Sequence, residues 1–196
     1  MCTCTPPNTE GDKPMITEVY HVVTERRMAL GQVIQMDENT PTGVYSRVMD
    51  KKSLVEDMLA HPERYAGQPI DHHTDVAIRE LAMEQVRREQ YPQCPSRMHS
   101  LYTSRDVEDS RCWFQWFKEW GRATYQIVKL RVDGRCFTGN ANLCFDGGLD
   151  QAQNRRYAER YWQVGEDPDG ERPVWETLVD GRIEVVEIIY EEDGEC

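Results

Sequence analysis

The sequence contains no Cys-x-x-Cys pair, no glycine-rich phosphate loop, no apolar run of membrane length and no internal repeat, and each absence removes a class of protein. Seven cysteines, Cys2, Cys4, Cys94, Cys112, Cys136, Cys144 and Cys196, are an odd number at irregular spacing, which fits neither a disulfide framework nor a zinc ribbon. Cys2-Thr-Cys4 has no histidine or second cysteine pair within ligand distance. The missing glycine loops argue against Rossmann and P-loop nucleotide enzymes. The first 18 residues lack a charged start followed by an apolar stretch, so a cytoplasmic protein without a membrane partner is expected. Positive charge is also short: 23 basic residues face 35 acidic ones for a net charge of -12, which opposes nonspecific binding to nucleic acid.

What is present is enough for one core. A chain of 196 residues buries about 70% of the surface its unfolded form exposes and needs no metal or disulfide to stay folded. Residues 1–15, with Pro6, Pro7 and Pro14, are too polar to offset the entropy of ordering and read as a disordered tail. Residues 16–190 read as a single domain and 191–196 as an acidic tail.

Val19-Tyr20-His21-Val22-Val23 is a β-branched and aromatic strand signal, and a second apolar stretch runs from Met28 to Met36 through Gly31. Asp37 to Gly43 reads as a loop. Leu54, Val55, Met58 and Leu59 recur at helical steps from about Ser53, and Ala77, Ile78, Leu81, Ala82 and Val86 form the apolar face of a stronger helix, capped by Thr74 or Asp75. Met98 to Ser104 reads as a strand ending in hydroxyl residues. Asp106 to Asp109 then opens a helix carrying Trp113, Phe114, Trp116, Phe117 and Trp120, expected to be buried around most of its circumference and stopped by Gly121. Tyr125–Val132, the turn Asp133-Gly134 and Cys136–Thr138 form an expected hairpin. Leu149–Trp162 reads as a helix, and Trp175–Val179 and Ile183–Ile189 as strands joined by Asp180-Gly181. Helices grouped in the first half and hairpins in the second indicate an α+β fold.

Three residues put a reactive or recognising group on a strand or strand end: His21, Tyr102 and Glu187. Singly, each has an ordinary reading: a satisfied core or edge histidine, a packed tyrosine with a wet hydroxyl, and one of two strand carboxylates, Glu184 and Glu187, that face opposite sides of the sheet, one of them inward or toward a cleft. Together, a strand with Tyr-His, then Tyr102-Thr103-Ser104 before an acidic helix, then a late strand carrying glutamate, resemble the His-Tyr-Glu group of ADP-ribosyltransferases, which includes diphtheria toxin and the poly(ADP-ribose) polymerases. The chain from about Tyr20 to Ile189 also resembles an uncharacterised bacterial family grouped with that fold.

The resemblance implies a split antiparallel β-sheet with flanking helices, and NAD as substrate. It implies a mono-ADP-ribosyltransferase or NAD glycohydrolase, in the setting of a toxin or defence protein, with an acceptor that is a protein or nucleic acid. By its pattern His21 holds the adenosine-side ribose, Tyr102 stacks on nicotinamide with Trp113 as the second aromatic, and Glu187 holds the nicotinamide ribose. Thr24 adds a polar contact and Arg97 faces the pyrophosphate. The chain departs from the toxin pattern in having Val22-Val23-Thr24 after the histidine, a long insertion before Tyr102, Trp113 in place of a tyrosine, and Val185 two positions before Glu187. Two alternatives stand beside this reading: a non-catalytic binding or regulatory module on the same fold, and a metal-dependent hydrolase using Asp71, His72, His73 and Asp75, whose residue types suit a divalent metal but equally cap a helix.

Overall fold

The computed structural model describes residues 16–167 and 169–192. The expected tail over 1–15 lies outside the described residues, as does 193–196. The described chain runs β1 (Ile16–Val23), β2 (Val33–Met36), α1 (Gly43–Ala60), α2 (Pro62–Tyr65), α3 (His72–Gln90), β3 (Leu101–Thr103), α4 (Val107–Glu119), β4 (Gln126–Asp133), β5 (Cys136–Asn140), α5 (Gln151–Trp162), β6 (Trp175–Val179) and β7 (Gly181–Glu191). The strands form two antiparallel sheets, one of order β1-β4-β7-β2 and one of order β3-β6-β5, so the fold is α+β. The start of the expected acidic tail is structured: Glu191 ends β7 and the Glu192 amide donates to the Tyr125 carbonyl. Contacts group the chain into two compact units, one from residues up to Asp37, Ser100–Thr138 and Trp175 onward, the other from Glu38–His99 and Gly139–Val174.

In the first unit, strand alternation decides what is buried. Val19 and Val23 of β1 face the same side as Val128, Leu130, Val132, Ile183 and Val185, and together with Val179 they make one apolar cluster. Each such side chain taken from water contributes about 1.5–3 kcal/mol. The alternate residues Val22 and Ile127 meet Phe114 of α4 on the opposite face. The expectation of an all-round buried aromatic helix is corrected here. Only Ser110 and Phe114 of α4 are buried, while Trp120 is 63% exposed, because α4 lies against a single sheet face.

The hairpin expected at Asp133-Gly134 is also corrected. β4 pairs with β1 and β7, whereas β5 belongs to the other sheet, so the chain changes sheets at this dipeptide; it changes back at Asp180-Gly181 between β6 and β7. The two crossings touch. A Cβ on Gly134 would sit 2.1 Å from the Asp180 carbonyl oxygen, and Gly181 has a φ of +84°. Asp180 locks the pair by accepting from the Arg135 amide at 2.9 Å and its Nε at 2.8 Å.

In the second unit, α1 and α3 pack through Val48, Val55, Met58, Ala77 and Ile78. α1 starts at Gly43, well ahead of the expected Ser53, because the Thr42 hydroxyl accepts from the Tyr45 amide as an N-cap. α3 is capped by Asp71, not by Thr74 or Asp75: its carboxylate accepts from the His73 and Thr74 amides. α3 also carries buried charge. Glu80 accepts from Arg97 Nε at 2.8 Å and Arg79 Nε at 3.2 Å, and Arg97 also donates to the Tyr161 hydroxyl of α5 at 2.6 Å. Burial pushes the Glu80 carboxyl upward, but the Arg97 charge and its hydrogen bonds outweigh this and hold it below its ordinary value. A second set joins Glu84 to Arg87, Arg88 and Ser96. Cys94 beside it is fully buried and disulfide-bonded.

Candidate functional site

β1 and β3 meet at one point. The Tyr20 amide donates to the Ser104 carbonyl at 2.9 Å and the Ser104 amide returns the bond to Tyr20 at 2.7 Å, an isolated antiparallel bridge joining the edges of the two sheets. In a strand, the main-chain polar groups of residues two apart point to the same side, so the Tyr102 carbonyl also faces β1. There the strands have diverged, and the His21 ring takes the place of a ladder bond: His21 Nδ1 lies 2.8 Å from the Tyr102 oxygen. A carbonyl only accepts, so Nδ1 carries the proton, and in the neutral ring Nε2 is the accepting nitrogen. Desolvation pushes the His21 imidazole below its ordinary pKa, against the opposing pull of the Tyr102 carbonyl and Glu25. The site therefore holds a neutral, oriented imidazole at the sheet split.

A carboxylate stands close by that sequence reasoning missed. β3 pairs with β6 through Tyr102 opposite Leu178 and Thr103 opposite Thr177. Glu176, two residues before Leu178, shares the face of Leu178 and Tyr102 and is the diagonal neighbour of Tyr102, at about 7–8 Å between such positions. It is 7% exposed. A carboxylate is rarely this buried in a strand, and the signal was visible in the sequence as the lone charge at the start of an otherwise apolar and β-branched run, Trp175-Glu176-Thr177-Leu178-Val179.

The other expected residues fall in several places. Glu187 pairs across β7 and β4 with Lys129, which pairs with Tyr20, whereas His21 pairs with Val128 and so with Ile188. The register puts Glu187 and His21 on opposite faces of the same sheet, with Glu187 exposed beside the Lys129–Glu18 ion pair. Trp113 packs against the Val22, Phe114 and Ile127 cluster, on the sheet face opposite His21; Trp116 meets it edge-on at 5.2 Å and Phe117 tilted at 5.6 Å, and its Nε1 donates to the Trp175 carbonyl. Thr24 follows the end of β1, with the Arg122 guanidinium 3.5 Å from its hydroxyl. Arg97 belongs to the second unit, 5% exposed, with its guanidinium committed to Glu80 and Tyr161.

The histidine cluster has a structural account. Thr74 donates through its hydroxyl and amide to Asp71, which with Lys51 holds that carboxyl down at about 2. The His72 side chain is 80% exposed, with Nδ1 3.7 Å from Asp75. Among the described residues no group of three His, Cys, Asp or Glu side chains is arranged to hold a metal ion. A cavity of about 160 Å³ lies in the second unit, lined by Leu54, Met58, Tyr65, Ile70 and Thr74. No described helix is long and apolar enough to cross a membrane.

Comparison with the curated proteins gives no match. Residues 19–191 match a family model described as Protein of unknown function (DUF2441), a span that takes in both units, the sheet split and Glu176. The chain belongs to the DUF2441 family.

Proposed function

We propose that the chain is an NAD-utilising enzyme of the ADP-ribosyltransferase type, acting as a mono-ADP-ribosyltransferase or NAD glycohydrolase, with His21, Tyr102 and Glu176 as its working residues. The observation that carries this reading is the His21 to Tyr102 hydrogen bond across the split between two antiparallel sheets, with a buried carboxylate diagonal to Tyr102 on the next strand. Glu176 takes the place that the sequence pattern gave to Glu187, because only Glu176 shares a sheet face with Tyr102.

The chemistry fits those residue types. The bond between nicotinamide and ribose C1′ breaks with its electron pair leaving to the pyridinium nitrogen, so nicotinamide departs neutral and C1′ becomes an oxocarbenium ion. Water or an acceptor nucleophile then bonds to C1′ and releases its proton. The Glu176 carboxylate stabilises the positive charge at C1′ by standing fixed beside it, a preorganised contribution of about 3–4 kcal/mol, or roughly 10²–10³ in rate. The Tyr102 ring offers a stacking face to nicotinamide, and His21, neutral and oriented, hydrogen-bonds a ribose hydroxyl.

The test is thermal unfolding across an NAD titration, followed by nicotinamide release. At 100 times the dissociation constant NAD stabilises the fold by about 2.7 kcal/mol, a midpoint rise of about 5–10 °C. Nicotinamide release falls roughly 10²–10³-fold in Glu176→Gln and stays at the wild-type rate in Glu187→Gln. A flat unfolding midpoint at millimolar NAD sinks the reading.

A further inference from the structure

We infer that Trp113 is a positioning residue for Glu176, holding the peptide from which the carboxylate springs; this role rests on the reading of function above. Strand β6 begins where β3 has already left it: beyond the Thr103 and Thr177 pair, Ser104 turns its amide and carbonyl to Tyr20. The Trp175 carbonyl points to that vacated side, since it shares the direction of Thr177 two residues on. The Trp113 indole fills the gap, with Nε1 donating to the Trp175 oxygen at 3.0 Å. A peptide unit is planar, so fixing that oxygen fixes the amide nitrogen and Cα of Glu176.

The strut is itself braced. Trp113 packs between Trp116 and Phe117 and against the cluster of Val22, Phe114 and Ile127. The Trp175 side chain is gripped as well: the Arg105 guanidinium lies 4.9 Å above its ring and pairs with Asp109 of α4 at 2.9 Å. Main chain and side chain of the residue before Glu176 are thus both tied to α4 and its lead-in. A misplacement of about 1 Å at a reacting centre costs about 10²-fold in rate, so this tie is felt in turnover more than in binding.

The experiment is steady-state NAD cleavage by the full chain, read as nicotinamide release, for wild type, Trp113→Phe and a chain with benzothienylalanine at position 113, which keeps the bicyclic ring and lacks the N–H. Both altered chains are expected to lose about 10–100-fold in kcat, with KM for NAD within threefold and little change in unfolding midpoint. The benzothienyl chain decides the matter if Trp113→Phe folds poorly. Unchanged kcat in that chain, or a KM rising in step with the loss, overturns the positioning role and leaves the functional reading standing. A wild-type chain that neither binds nor cleaves NAD overturns both.

Discussion

His21 is the residue whose chemistry the fold alters most at the candidate site. Its folded-state pKa is depressed by burial, so as pH falls through 6.5 the unfolded chain takes up a proton that the folded chain refuses. Stability associated with this group is present above the ordinary histidine value and is lost as pH falls below it toward the folded value. Urea unfolding at pH 7.5 and 5.5 is expected to show a larger loss for wild type than for His21→Gln, whose amide can still donate to the Tyr102 carbonyl but does not titrate. Equal losses in the two proteins would remove the desolvated, neutral imidazole. The contrast between Glu176 and Glu187 belongs to the same scale: both are strand glutamates, and only face and burial separate them.

At the scale of elements, the two sheet crossings and the charged interior of α3 make separate demands. Gly134→Ala puts a methyl group into the Asp180 main chain, where backbone must move to admit it. Overpacking of this kind costs about 2–3 kcal/mol, and the unfolding midpoint is expected to fall accordingly, while Gly148→Ala, with nothing within 4 Å of the added Cβ, changes it little. Arg97→Met leaves the buried Glu80 with the Arg79 contact but without the Arg97 guanidinium, and removes the Arg97 hydrogen bond to the Tyr161 hydroxyl. Breaking a buried pair costs about 3–5 kcal/mol, placed at the low end here by Arg79, so the midpoint is expected to drop by about 6–12 °C. NAD affinity measured below that midpoint stays at the wild-type value, because Arg97 serves the interior of α3 and α5; a tenfold loss would return it to the binding site.

At the scale of the whole molecule, the candidate site is assembled by one compact unit from three separated stretches of chain, while the other unit is built around α1, α3 and α5. Hydrogen exchange with and without saturating NAD reports on that division. Slower exchange is expected in β1, β3 and β6, where His21, Tyr102 and Glu176 stand, and no change in α3. Protection confined to α3 would move the ligand to the other unit.

Much of this was legible in the sequence wherever local pattern carries the information. Period-two runs marked β1, β6 and β7, helical spacing marked α3 and α5, and the Asp-Gly pairs marked sharp reversals, because alternation and turn chemistry depend on neighbours a few residues away. His21 and Tyr102 could be named as candidates for the same reason, each sitting on a recognisable strand. Which strands pair is not a local property. Only the tertiary structure made Asp133-Gly134 and Asp180-Gly181 crossings between sheets, put α4 on one sheet face, buried Arg97 against Glu80, and set Glu176 beside Tyr102 while turning Glu187 to the opposite face from His21. A strand offers two faces with equal ease, and the partner strand and the side chains packed above it choose between them.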